Sequence, residues 1–178
     1  MPRRPRSALP AYGVYHVTTR GVDRRAIVLD DLDRRRWMTL RADAASRFDL
    51  ITYAFCLMGN HYHLVVESAL SHVSLAVHRL NGLYAQAFNR RHARTGHLYE
   101  QRPAVRAVED DAYLERACEY VRANPVRAGL CLDPADWRWS GSDFDGAYPG
   151  TAARCTGASA GAHEHSGDTS PARPFSSR

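Results

Sequence analysis

The run Leu50-Ile51-Thr52-Tyr53-Ala54-Phe55-Cys56-Leu57-Met58-Gly59-Asn60-His61-Tyr62-His63-Leu64-Val65-Val66-Glu67 decides the fold. Residues 50–57 are almost continuously apolar, which marks a strand. Met58-Gly59-Asn60 is a turn signal, and His61 to Glu67 returns beside the first strand as a hairpin. Along a strand, side chains i and i+2 leave the same face. His61 and His63 therefore share one side of the sheet, while Tyr62, Leu64 and Val66 point the other way and can pack beneath helices.

Working outward, residues 13–19 (Gly-Val-Tyr-His-Val-Thr-Thr) read as a strand closed by Arg20-Gly21. Asp30 or Asp31 caps a helix to about Phe48, with Leu32, Trp37, Leu40, Ala44 and Phe48 as its apolar stripe. A long helix covers roughly 72–93, burying Leu75, Val77, Leu80, Leu83, Tyr84, Ala87 and Phe88. Residues 103–108 form a short edge strand that tolerates Pro103 at its start. Asp110 or Asp111 caps a last helix, which Asn124-Pro125 is expected to stop near Ala123. The order β-α-β-β-α-β-α predicts an α+β fold. Its first six elements make a ferredoxin-like split βαβ unit, an antiparallel sheet with helices on one face; a C-terminal helix carrying Tyr120 follows. Residues 1–11 form a basic arm, 12–141 a folded domain, and 142–178 a Gly/Ser/Ala/Pro-rich tail without periodicity, expected to be disordered.

The chain has 178 residues, 44% of them hydrophobic and 10% aromatic, which fits a globular domain rather than a disordered chain. No apolar run approaches the roughly 18 residues that would span a bilayer. The N-terminus Met1-Pro2-Arg3-Arg4-Pro5-Arg6 lacks the apolar segment of a secretory signal, so a cytoplasmic protein with no membrane partner is expected. Cys56, Cys118, Cys131 and Cys155 are scattered with no CxxC pair, against a zinc or redox motif. The net charge is +5, and its distribution says more than its size. Residues 1–48 hold eleven arginines against five acids, and 79–106 six against one, whereas 107–136 hold three against seven. All 24 basic residues are arginine, whose fork suits phosphates and base edges. A GC-rich genome would give the same residue choice, so the segregation of charge is the stronger pointer to nucleic acid.

Two constellations can carry chemistry. His61 and His63 on one strand face can share a divalent metal, though an HxH pair alone is a weak signal. Tyr120 and Asn124, at i and i+4, share a helix face. The phenol and an amide oxygen able to ligate Mg²⁺ or Mn²⁺ can thus address one point. Taken separately, Tyr120 reads rather as part of the Tyr113, Ala117 apolar stripe and Asn124 as a helix end. Taken together, the two pairs make a mechanism. A metal held by two imidazoles and an amide oxygen polarises a scissile phosphate, and Tyr120 attacks phosphorus to give a 5′-phosphotyrosine and a free 3′-hydroxyl.

The stretch Met58-Gly59-Asn60-His61-Tyr62-His63-Leu64-Val65-Val66-Glu67 resembles the HUH (His-hydrophobic-His) strand of the REP-associated tyrosine transposases. Tyr120-Val121-Arg122-Ala123-Asn124-Pro125-Val126-Arg127-Ala128-Gly129-Leu130 is similar to that family's nucleophile helix. Tyr15 to Gly21, Arg79 to Tyr84 with Phe88 to Arg91, and Asp136 to Ser140 agree in order and spacing, so the resemblance spans about residues 12–141. It implies His61, His63 and Asn124 as metal ligands and Tyr120 as nucleophile. It also implies single-stranded DNA folded into imperfect hairpins as partner. Arg3, Arg4, Arg6, Arg20, Arg90, Arg91, Arg94 and Arg102 are the candidate DNA contacts. Relatives act as monomers or as homodimers, and both remain open here. Val22-Asp23 stands where the family places an Asn after Arg-Gly, and Pro103 where it places an aromatic after Arg102. Both departures bear on how DNA is gripped rather than on the catalytic set. Glu67 lies on the histidine face but further along the strand, and His163-Glu164-His165 lacks a scaffold.

The leading expectation is a metal-dependent single-strand DNA transposase. The rivals are a hairpin-binding protein that no longer cuts, and a ferredoxin-like RNA-binding module using its sheet face. The last would expose aromatics where this chain has histidines.

Overall fold

A computed structural model describes residues 6–100 and 102–144. Arg3, Arg4 and residues 145–178 of the expected tail lie outside the described residues. Seven elements follow in the order read from the sequence: β1 (Tyr12–Arg20), α1 (Asp31–Arg47), β2 (Ile51–Leu57), β3 (His61–Ala69), α2 (Leu70–Arg91), β4 (Ala104–Val108) and α3 (Asp111–Arg127). A two-residue strand, β5 (Ser140–Gly141), had no sequence signal and pairs with β2. The sheet has the order β4-β1-β3-β2-β5, all neighbours antiparallel, which makes the fold α+β with β1 and β3 at its centre. After β5 the chain stays against the sheet, since the Asp143 carboxylate accepts the Thr52 N–H at 2.9 Å.

The two faces of the sheet carry two cores. On one, Tyr15, Val17, Tyr62, Leu64 and Val66 meet Trp37, Leu40 and Ala44 of α1 and Val73, Val77, Leu80, Tyr84 and Phe88 of α2. Two buried phenols there find acceptors: Tyr62 donates to Asn81 Oδ1 at 2.8 Å and Tyr84 to the Ile27 carbonyl at 2.6 Å. On the other, Val14, Ala54, Cys56, Met58 and Val65 meet Leu114, Ala117, Cys118 and Val121 of α3. The split βαβ unit thus keeps α1 and α2 on one face as expected, and the third helix closes the opposite one.

Three expectations need correction. Leu32 and Leu75 are 52% and 53% exposed, because the inward stripes run 33-37-40-44 on α1 and 73-77-80-84-88 on α2. Each leucine stands well off its stripe, at about 100° of helix rotation per residue. Buried Asp33 takes the first inward place of α1, where it accepts the Leu29 N–H at 2.9 Å and meets Arg91 and His92 of the α2 end. Finally, α3 does not stop at Asn124. It runs through buried Pro125 to Arg127. The end is made by Gly129 at φ 68, with the Gly129 N–H donating to Val126 O and the Leu130 N–H to Pro125 O, both at 2.9 Å. This paired closure satisfies the last carbonyls of the helix, and its left-handed residue is the one that suits glycine. A proline costs a helix one hydrogen bond, but here its ring is packed and the chain has no reason to leave the helix until four residues later.

Gly21 is required for space rather than for dihedral freedom. A Cβ there would lie 2.2 Å from the Arg25 carbonyl oxygen and 2.9 Å from Ile27 Cγ2. Gly129 has nothing within 4 Å of a built Cβ, so only its positive φ resists substitution. Gly129→Ala is therefore expected to cost about 1 kcal/mol, or roughly 2–4 °C in Tm for a chain this size. Gly21→Ala is expected to cost distinctly more, because backbone must move. Thermal unfolding of the two variants beside the parent checks the order; equal losses would contradict it.

Candidate active site

Alternation along β3 puts His61 and His63 on the α3 side of the sheet, and the register of β1 completes the face. Thr18 lies opposite His63 and Arg20 opposite His61, while His16 lies opposite Arg106 of β4. Cross-strand partners share a face, so His16, Thr18, Arg20 and Arg106 surround the two histidines. Above them α3 delivers Tyr120. Its ring centroid is 5.6 Å from that of His63, edge-on, and 6.2 Å from that of His16. The His61 and His63 centroids are 5.1 Å apart. Tyr120 is 41% exposed, accessible to a large substrate. Because α3 stays helical through Pro125, Tyr120, Asn124 and Arg127 occupy successive turns of one face. Arg127 Cζ lies 5.2 Å from the Tyr120 ring centroid, and Asn124 Nδ2 donates to the Tyr120 carbonyl at 2.8 Å.

Burial makes these imidazoles neutral. His63, only 6% exposed, is pushed down to about 3 by desolvation, with His16, His61 and Arg20 adding to the shift. His16 is lowered to about 4 by desolvation and by Arg106, and His61 is lowered by desolvation and by Arg20. Neutral imidazole is the form that ligates metals. The Nδ1 atoms are also engaged. His61 Nδ1 lies 2.7 Å from Asn60 Oδ1, and Asn60 Nδ2 donates to the Arg24 carbonyl at 3.0 Å. That second bond orients the amide, so Oδ1 faces the ring and can only accept. His61 must then carry its proton on Nδ1, leaving the Nε2 lone pair free. His63 Nδ1 lies 2.9 Å from His16 Nε2 and 3.1 Å from Thr18 Oγ1.

Among the described residues, no group of three or more His, Cys, Asp or Glu could hold a metal ion. A third donor of another kind is needed. Asn124, one helical turn from Tyr120, carries an amide oxygen, and two imidazoles with an oxygen of that kind suit a divalent cation. The donor set is therefore chemically suited to the ion the sequence implies.

The remaining candidates are scattered. Arg20 joins the histidine face and is exposed. Arg6 begins a short 3₁₀ turn ahead of β1. Arg90 is exposed near the end of α2, Arg94 lies over the Phe88 ring at 5.5 Å, and Arg102 is exposed just before β4. All three belong to the α2 layer or its exit, although that exit returns to β1, where the Glu100 N–H donates to the Arg20 carbonyl at 3.0 Å. Arg91 is different, because it ion-pairs with Asp30 and Asp33 and braces α1 against α2. Glu67 accepts from the Tyr53 hydroxyl. His16, Arg106 and Arg127 were not singled out by sequence. Their signal is visible only once register is known, since His16 has the strand parity of Thr18 and Arg20, and Arg127 the helical phase of Tyr120.

Residues 12–124 match the family model described as "Transposase IS200 like". No curated protein matches significantly. Among solved structures, a REP-associated tyrosine transposase bound to a REP hairpin is similar, with a TM-score of 0.65 and 15% identity over 79% of this chain and 82% of that one. A Deinococcus radiodurans protein assigned as a transposase aligns with a TM-score of 0.46 and 17% identity, over 67% of this chain and 95% of that one.

The histidine shifts fix a pH dependence. In the unfolded chain these imidazoles protonate near 6.5; in the fold His16 and His63 resist to about 4 and about 3. Between 6.5 and 4 the unfolded state binds more protons, so stability is full above 6.5 and falls as the pH drops. The slope approaches about 1.4 kcal/mol per pH unit for each histidine held neutral. Urea unfolding of the metal-free protein through this window should show the fall, and His63→Leu should flatten it. A parent slope no steeper than the variant's would mean that the histidines are solvated.

Proposed function

The chain belongs to the IS200-like transposase family, and from that membership we propose that it cuts and rejoins single-stranded DNA through a 5′-phosphotyrosine on Tyr120. The DNA is a REP-like sequence folded into a hairpin. The observation that carries the reading is the Tyr120 ring 5.6 Å from His63, with His61 a further 5.1 Å away, on a face rimmed by arginines. The similarly folded transposase bound to a REP hairpin supports the choice of DNA.

In this reading His61, His63 and Asn124 hold Mg²⁺ or Mn²⁺. When bound, the cation would offset negative charge on the oxygens of the scissile phosphate. The chain's own residues do the rest. Tyr120 Oη attacks phosphorus and loses its proton, the bond to the 3′ oxygen breaks, and a 3′-hydroxyl is released while the 5′ phosphate stays on the tyrosine. Attack by a 3′-hydroxyl on that ester reverses the step, so rejoining needs no nucleotide cofactor. Arg127 sits beside the ring on which negative charge develops as the phenol ionises. Arg20 and Arg106, exposed on the same face, offer forks to the phosphates on either side. Arg3, Arg4 and Arg6 of the arm, with Arg90, Arg94 and Arg102, extend the contact; Arg91 remains committed to its carboxylates.

The test is a denaturing gel of purified protein with labelled hairpin DNA from its gene's flanks, with Mn²⁺ or Mg²⁺. A slow SDS-resistant band is expected, lost with EDTA and with Tyr120→Phe, while native-gel binding by Tyr120→Phe persists. Asn124→Ala should lower the rate of band formation by at least about tenfold, since even loss of a residue supporting a metal ligand has that effect. A clear native shift without any covalent band would leave a hairpin-binding protein in place of the enzyme.

A further inference from the structure

One member of the site has no part in the reaction just described. His16 stands on β1 beside the histidine strand, half-buried, with its Nε2 2.9 Å from Nδ1 of His63. We propose that His16 is a positioning residue: its Nε2 accepts the Nδ1 proton of His63 and so presents the opposite nitrogen of His63, with its lone pair, to the divalent cation. The inference rests on the metal-dependent reading above.

The chemistry of imidazole carries it. A neutral ring has one proton for two nitrogens. In the contact between His16 and His63, either His63 donates from Nδ1 and keeps Nε2 free, or His16 donates and the His63 proton must sit on Nε2, where no metal can be bound. Only the first form is a ligand. Thr18 Oγ1, 3.1 Å from the same Nδ1, can donate or accept and does not choose between the forms. A ring nitrogen is the better base of the two acceptors, and a cation on Nε2 makes the Nδ1–H a stronger donor, so the bond to His16 gains most when the metal is bound. His61 is supported in the same way by the Asn60 amide oxygen at 2.7 Å. Each histidine of the pair thus has an acceptor behind it, the usual arrangement behind a metal-bound imidazole. The edge-on Tyr120 ring, 6.2 Å from the His16 centroid, closes the other side, so the His63 ring is held between β1 and α3.

The test measures Mn²⁺ affinity by electron paramagnetic resonance on the full chain, with parent, His16→Leu and His16→Gln. Unfolding curves and metal-free native-gel binding of hairpin DNA establish that each variant is folded. His16→Leu is expected to weaken Mn²⁺ binding by about ten- to a hundred-fold. His16→Gln, whose amide oxygen can take the Nδ1 proton, is expected to recover most of that loss. Nitrogen-15 spectra with Mg²⁺ should show His63 protonated on Nδ1 in the parent. Equal Mn²⁺ affinity in parent and His16→Leu would overturn the inference while leaving the metal-dependent reading intact, as would a His63 proton on Nε2 in the Mg²⁺-loaded parent. A parent that binds no Mn²⁺ would overturn both.

Discussion

The central strand β3 is covered on both faces, and everything at the site depends on that. Tyr62, Leu64 and Val66 lock one side into the core under α1 and α2, and Val65 locks the other under α3. His61 and His63 occupy the two α3-side places ahead of Val65 and have no freedom to move elsewhere. A slip of one residue would turn both imidazoles into an apolar core and bring Tyr62 and Leu64 out, a cost of several buried side chains at roughly 1.5–3 kcal/mol each. Register is therefore fixed by packing, and the packing fixes the pair.

Burying imidazoles opposes folding unless their nitrogens are partnered. Here Asn60, His16 and Thr18 provide the partners, and neutrality lowers the remaining cost. The same burial that makes the histidines poor bases leaves their lone pairs unprotonated at neutral pH. A water-exposed HxH pair would titrate near 6.5 and bind a metal in competition with protons. The site's electrostatics follow from the sheet being sandwiched, not from any exceptional residue.

The opposite layer is braced by a compact polar cluster. Asp33, 3% exposed, is met by Arg91 and by His92 Nε2 at 2.9 Å, and Arg91 also reaches Asp30, the N-cap of α1. The start of α1 is thereby tied to the end of α2. A buried carboxylate stripped of such partners is strongly destabilising, so the contact holds the helical layer in place beneath β3. Arginine in this chain consequently does two kinds of work. Arg91 is consumed internally, whereas Arg20, Arg106 and Arg127 stay exposed around the histidines and the tyrosine.

Local pattern determined much of this by itself. Period-two alternation put His61 and His63 on one face of β3 and Tyr62, Leu64 and Val66 on the other, as the structure has them, and the apolar runs, caps and turns placed all seven main elements in order. The sequence also held the pair Tyr120 and Asn124 at a helical spacing. Tertiary structure decided what local rules cannot reach. Proline reads as a stop, yet the packing of Pro125 carried α3 on to Arg127, in phase with the tyrosine. Leu32 and Leu75 look like core, but helix phase is set by the neighbouring layer, and Asp33 and Val73 took the inward stripes instead. Most of all, His16 met His63 only through the pairing of β1 with β3, forty-seven residues apart. Strand register is a long-range property, chosen by which faces must be buried together, and no single stretch of sequence contains it.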